Sequence, residues 1–285
     1  MWNQFKTLLL LATITGLLVV VGGVIGGRAG MILGLGLGAV MNLASWWKSD
    51  TLVMAMTGAR EVPEGSMPEL HAMVGELALR AGIPKPRVLF VDDNTPNAFA
   101  TGRSPQRAAV AVTRGLVSQL DERQIRGVMA HEFAHILNRD TLISAIAATI
   151  AGAITLLANM AQWAAIFGGG RDGERHPMAL VATALLAPVA AMLVQMAISR
   201  TREYRADRVG AELCQDPLAL ASALEVIDQT AKRQMQRGFV QSNPSTSHLM
   251  IHGLNFGGLS RIFATHPPIP ERVRRLRQMA GRHLS

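Results

Sequence analysis

The run HEFAH, from His131 to His135, holds the residues best suited to chemistry in this chain of 285 residues. On a helix, residues four apart lie on one face, so the two imidazoles project together. Two cis ligands of a tetrahedral zinc ion need that separation. Glu132, beside the first histidine, is set to take a proton from an attacking water instead of ligating. The motif points to a metallohydrolase with His131 and His135 as ligands and Glu132 as general base. A metzincin would carry glycine and histidine where this chain has Asn138 and Thr141, which excludes that class. The other common third ligand is a glutamate from a later helix. Glu203 is the best candidate: Asp207 follows one turn later, where its carboxylate can accept a hydrogen bond from His131 and orient it. The plainer alternative is that both acids pair on a helix surface with Arg200, Arg205 or Arg208.

Such a site needs a helix under HEFAH, and the surrounding residues supply one. Asp121 suits an N-cap, the helix continues through Leu137, and Ile125, Val128, Met129, Phe133 and Ile136 give it an apolar back. Upstream, the spacing over Met67 to Ala81 predicts a helix that ends at Gly82, with Pro84 and Pro86 beyond. Arg87 to Val91 reads as a short buried strand, Asp92 to Pro96 as a turn-rich loop, and Ala108 to Thr113 as a second strand. Asn97, Ala98 and Phe99 form either an edge strand that binds substrate backbone by strand addition or an ordinary hairpin strand. Downstream, TREYRADRVGAELC reads as the helix carrying Glu203, and Pro217 to Ala231 as another. Lys232 to Ser260, rich in Gly, Ser, Asn and Gln, is expected to be a long mobile loop, with His248 and His252 solvated or gating. THPPIPERVRRLRQ turns through three prolines into a basic C-terminal helix. Tyr204 is expected to pack, and Cys214, the only cysteine, to behave as a small buried hydrophobe with no disulfide to form.

Composition says where these elements work. Hydrophobic residues make up 49% of the chain and charged ones 17%, less charge than a soluble domain of this size carries. Four apolar runs, about 8–27, 30–47, 141–167 and 178–199, each approach the ~20 residues that a membrane-crossing helix needs. Their short links make them two hairpins. Lys6, Lys48, Arg139, Arg200, Arg202, Arg205 and Arg208 flank one side, against Arg28, Arg171 and Arg175 on the other, so both termini should be cytoplasmic. Gly34, Gly36 and Gly38 resemble a phosphate loop but lie inside an apolar run, where small residues let membrane helices approach closely. The expected organisation is a transmembrane hairpin (1–48), a cytoplasmic segment with HEFAH (49–140), a second hairpin (141–199) and a cytoplasmic segment with the third ligand and C-terminal helix (200–285). At 1.5 Å per residue, both ligand-bearing segments then fall within roughly 10 Å of the same membrane surface.

The motifs NAFATG at Asn97 to Gly102, HEFAHILNRD at His131 to Asp140, SRTREYRAD at Ser199 to Asp207 and THPPIPER at Thr265 to Arg272 resemble the HtpX family of membrane zinc proteases, relatives of the CAAX prenyl proteases. The resemblance implies a gluzincin-type fold: mainly α with a small β-sheet, an α+β zincin-like catalytic domain with four transmembrane helices in two hairpins. It implies one Zn2+ per subunit with Glu203 as third ligand, and a prokaryotic cytoplasmic (inner) membrane. It further implies degradation of misfolded or damaged membrane proteins, often under stress. His266 resembles a family position near the zinc and is a candidate for stabilising the oxyanion, against simple turn packing.

The leading function is thus a zinc endopeptidase acting on membrane-protein and unfolded polypeptide substrates. The alternatives are a CAAX-type or other substrate-specific processing protease, or a zinc-stabilised membrane adaptor without turnover, against which the intact Glu132 argues. A channel is disfavoured because the interiors of the four runs carry no charge. The formal net charge of +8 and the C-terminal arginines suit anionic lipid headgroups; no nucleic-acid motif accompanies them. No feature of the sequence specifies an oligomer.

Overall fold

A computed structural model of the chain describes residues 2–47, 49–144, 200–236 and 267–283. Its sheet is built from short runs, the longer ones rich in valine: β1 (Arg60–Glu61), β2 (Arg87–Val91), β3 (Ala98–Thr101) and β4 (Ala109–Thr113), in the order β1-β2-β4-β3. β2 runs parallel to β4, with Arg87 opposite Ala109, whereas β3 lies antiparallel on the outer side of β4, with Ala98 opposite Val112. Successive strand residues point to opposite faces, and β4 is buried on both. Val110 and Val112 enter the main core, while Ala109 and Ala111 join Val53, Leu89 and Phe99 in a smaller cluster.

Val53 comes from α2 (Ser49–Thr57); the main core is enclosed by α3 (Pro68–Ala81), α4 (Arg114–Gln119), α5 (Glu122–Leu137), α6 (Arg200–Cys214), α7 (Pro217–Gln236) and α8 (Ile269–His283). The described chain is therefore mainly helical with a small mixed sheet, as its sequence predicts. α5 turns Ile125, Val128, Met129, Phe133 and Ile136 into the core. It starts in a capping box, the Asp121 side chain accepting the Gln124 N–H while the Gln124 side chain accepts the Asp121 N–H. α3 stops at Gly82, whose φ of 65° is left-handed.

Two details differ from expectation. α7 continues to Gln236, so residues 232–236 of the expected loop are helical; the rest of that loop, His248 and His252 included, lies outside the described residues. The short helix α4 carries no periodic signal. It is set by Thr113, whose Oγ1 accepts the Leu116 N–H at 3.1 Å.

The N-terminal helix α1 (Trp2–Trp47) folds back on itself about Gly27, whose φ is 56°. A Cβ on Gly22 would lie 2.1 Å from the Gly30 carbonyl oxygen, and one on Gly34 would lie 2.2 Å from that of Leu18. The Asn42 side-chain amide donates to Thr15 Oγ1 at 2.9 Å between the same two arms. Small residues here allow backbone contact that any side chain would block. Within α1, Gly27–Ala44 is the one stretch among the described residues long and apolar enough to cross a membrane, with mean hydropathy 1.3. Ile32, Leu33, Leu35, Leu37, Val40 and Leu43 stand exposed along it. Most of the two later apolar runs, residues 145–199, lies outside the described residues.

Candidate metal centre

α5 and α6 cross at the centre of the described core, and the crossing depends on a glycine. A Cβ on Gly210 would lie 2.8 Å from the His131 backbone nitrogen and 2.9 Å from its Cα. Only without a side chain can α6 sit this close to the histidine helix. Gly210→Ala is expected to force the helices apart, lowering stability by about 1–3 kcal/mol, the usual range for overpacking, and weakening metal binding with it. Thermal unfolding together with chelator competition checks this. Wild-type values in both would show that the crossing can yield.

The close approach brings His131, His135 and Glu203 together, with one ligand atom from each within 4.8 Å of the others. His131 Nε2 and His135 Nε2 lie 3.2 Å apart, and Glu203 reaches them with Oε2 at 3.7 Å and Oε1 at 3.6 Å respectively. Each histidine turns its other nitrogen to a carboxylate. His131 Nδ1 is 3.0 Å from Asp207 Oδ1, and His135 Nδ1 is 3.2 Å from Asp140 Oδ2. With Nδ1–H donated to a carboxylate, each imidazole keeps its Nε2 lone pair for a cation.

The charges suit a cation as well. Four carboxylates (Glu132, Asp140, Glu203 and Asp207) are buried here, against the guanidiniums of Arg202 and Arg272, which leaves a formal surplus of two negative charges for a proton on His131 or a metal ion to offset when both histidines are counted neutral. Burial disfavours charge on His131, yet the hydrogen bonds to Asp207 and Glu203 outweigh it and push its pKa up to about 9. Two imidazoles and a carboxylate converging in this surplus are the donor set of a divalent metal of the zinc type.

Glu132 faces the site from the same helix but is not among the converging donors. Its Oε2 accepts the Ala100 N–H of β3 at 2.8 Å. Burial raises its pKa above the ordinary carboxylate value, against the opposing pull of His135 and His131. A buried carboxylate with a raised pKa, held by one backbone N–H, is suited to take up a proton. Since β3 is the sheet's outer strand, the same hydrogen bond ties the sheet edge to this acid.

Asn97, Ala98 and Phe99 sit at or beside the start of β3 and are 6%, 1% and 5% exposed. Strand addition there would require whatever covers the edge to move. His266 lies outside the described residues. Tyr204 stacks under the Arg275 guanidinium at 3.8 Å, a packing contact between α6 and α8. Cys214 is buried in the main core.

Two neighbours of the site went unread in the sequence. Arg272, fully buried on α8, donates from Nε and Nη2 to the Asp207 carboxylate at 2.9 and 2.6 Å, and its Nη1 lies 3.7 Å from Glu203 Oε2. A signal existed: Arg272 falls in the helical phase of Ile269, Val273 and Leu276, the buried face of α8. An arginine in an apolar stripe implies a buried acid to meet it. Asp140, the acceptor for His135, was the other.

Comparison with known proteins agrees with this chemistry. The sequence model of Peptidase family M48 matches residues 65–280. A "Protease HtpX homolog" of Polynucleobacter necessarius subsp. necessarius (strain STIR1) is 51% identical over 284 residues, covering 98% of this chain and 97% of that protein. Another, from Ralstonia pickettii (strain 12J), is 52% identical and covers 98% of each. The solved structure of S. mikatae Ste24p aligns with 96% of this chain and 65% of its own at 20% identity and a TM-score of 0.48, a likeness too slight to bear on function.

Proposed function

This chain belongs to peptidase family M48 and is a metalloprotease, and we propose that its metal is one zinc ion held by His131, His135 and Glu203. The observation that supports this reading is the convergence of those three donors within 4.8 Å, each histidine backed by a carboxylate. Zinc bound there supplies Lewis-acid activation of a water molecule and stabilises negative charge developing on the scissile carbonyl oxygen. Glu132 takes the proton from the attacking water at its carboxylate and returns it to the departing amine. The Ala100 N–H keeps that carboxylate in place, and burial keeps it basic enough for the task. Asp207 holds the His131 Nδ1–H throughout. Once what covers the outer edge of β3 moves, Asn97, Ala98 and Phe99 receive the substrate backbone as an added strand, and His266 stabilises the oxyanion. The test is peptide hydrolysis with and without a chelator, followed by elemental analysis of the purified protein. Chelator-insensitive hydrolysis, or stoichiometric binding of no metal, would overturn the reading.

Its substrates are misfolded or damaged membrane proteins and unfolded polypeptides, degraded in a stress-linked quality-control role at a prokaryotic inner membrane. The exposed apolar stretch of α1 and the three further apolar runs support a four-span protein with both termini and the site on the cytoplasmic side. Arginines at the ends of these runs and on α8 meet anionic lipid headgroups. Single cysteines placed at Ser104 and Ser285 in a Cys214→Ser background are expected to need permeabilised cells for labelling, whereas one at Arg171 labels from outside. The opposite pattern would reverse the topology.

A further inference from the structure

α5 ends in an unusual turn. Asn138 and Arg139 close it with N–H bonds to Ala134 and Ile136, and Arg139 adopts a left-handed φ of 57°, uncommon for a residue with a side chain. The turn sends Asp140 back along the helix it has just left, so that Oδ2 meets His135 Nδ1 at 3.2 Å. The next residue pins the turn from another side: Thr141 Oγ1 donates to the Gly102 carbonyl at 2.8 Å, just past β3. Asp140 itself is buried, and its second oxygen lies 3.8 Å from Arg202 Nη1 on α6. That Nη1 is buried and makes no hydrogen bond, so Asp140 is its nearest counter-charge among the described residues. Arg202 immediately precedes Glu203, and Asp140 opens the helix that leads into the apolar run 141–167.

His135 needs such a partner more than His131 does. The His135 side chain is 17% exposed against 4% for His131, so packing alone restrains it less. A ring that ligates through Nε2 must keep its proton on Nδ1, and an acceptor there fixes both the tautomer and the ring plane. We propose that Asp140 is the positioning residue for His135, and that Arg202 holds Asp140 in place, joining the second histidine ligand to the helix of the glutamate ligand. The arrangement resembles that at His131, where Asp207 orients the ring and Arg272 hydrogen-bonds the acid at 2.6 and 2.9 Å, but Arg202 meets Asp140 through charge alone at 3.8 Å. The two ligand histidines are thus each secured by an Asp–Arg pair, one arginine coming from α6 and the other from α8.

The proposal rests on the zinc reading of the site, and its test separates the two. Zinc affinity is measured by competition with a chromogenic chelator on the full chain in detergent, together with the visible absorption of the Co2+-loaded protein. Asp140→Asn keeps an oxygen that accepts the Nδ1–H, so its zinc affinity is expected to stay within about threefold of wild type, with an unchanged cobalt spectrum. The double variant Asp140→Leu with Arg202→Met removes the acceptor without leaving a buried arginine unpaired. It is expected to bind zinc about 10–100-fold more weakly and to shift the cobalt bands, while the metal-free protein keeps its melting temperature. Wild-type affinity in the double variant, or equal weakening in Asp140→Asn, would overturn the positioning role. Weakened affinity accompanied by an equal fall in melting temperature of the metal-free protein would mean that the pair serves only the fold, and would also overturn it. His135→Ala is the control: if it retains zinc, the metal site itself has been misassigned.

Discussion

Glu132→Gln is expected to leave the metal bound and to lower peptide hydrolysis by about 10²–10⁴-fold, the usual contribution of a general base. The two outcomes separate because Glu132 lies outside the three converging donors. Glutamine is close to isosteric, and its carbonyl oxygen can still accept the Ala100 N–H, so the local packing survives. What is lost is a group able to accept the water's proton, since an amide is not a base near neutral pH. The checks are elemental analysis and turnover on the same purified variant. Near-wild-type turnover would remove Glu132 from the mechanism, and loss of metal would make it a ligand.

Glu203→Ala is expected to remove a ligand and to weaken zinc binding by more than about 100-fold, beyond the 10–100-fold typical of losing a residue behind a ligand. Glu203 is the only converging donor contributed by α6, and it meets both histidines from across the helix crossing. Its removal leaves two histidines on one helix, half a tetrahedral site. Asp207→Ala is expected to act less severely on the metal, because it touches His131 through Nδ1 and leaves every donor present. It also removes the carboxylate that accepts two hydrogen bonds from Arg272, leaving that arginine only the Glu203 contact at 3.7 Å. Breaking a buried ion pair typically costs about 3–5 kcal/mol, so this variant should lose more stability than Glu203→Ala does. Metal content after dialysis against a weak chelator, measured beside His248→Ala, His252→Ala and His266→Ala, decides the ligand set. Zinc retained by Glu203→Ala and lost by one of those histidine variants would make the site a three-histidine one.

Salt-bridged acids far from the site behave more simply. Asp216 takes two hydrogen bonds from Arg123, at 2.5 and 2.8 Å, and this pairing lowers its pKa. A depressed carboxylate contributes stability above its unfolded pKa and loses it as pH falls through the folded one. Arg123 is exposed and Asp216 half-buried, so solvent screens the pair and its share of acid stability is small.

What the sequence determines by itself is whatever depends on neighbours along the chain. HEFAH placed two histidines on one helical face because the α-helical period is local, and the Asp121 cap with its apolar back marked the same helix. Glu203 and Asp207 share one buried face of α6 for the same reason, being one turn apart. Gly34 and Gly38 were legible as close-packing residues, since small residues in an apolar stretch have few other uses, whereas a Cβ on Gly36, read the same way, would meet nothing within 4 Å. Contacts between elements distant in sequence were decided only by the tertiary structure. Arg272 reaches Asp207 from 65 residues away, and nothing near either residue names the other. Gly210 looks like any helical glycine until the His131 backbone is found 2.8 Å from where its Cβ would stand. Asp140 is close to His135 in sequence, yet five residues is not a helical contact distance. The left-handed turn at Arg139 brings the two together, and that turn is held by Gly102 and Arg202 from outside.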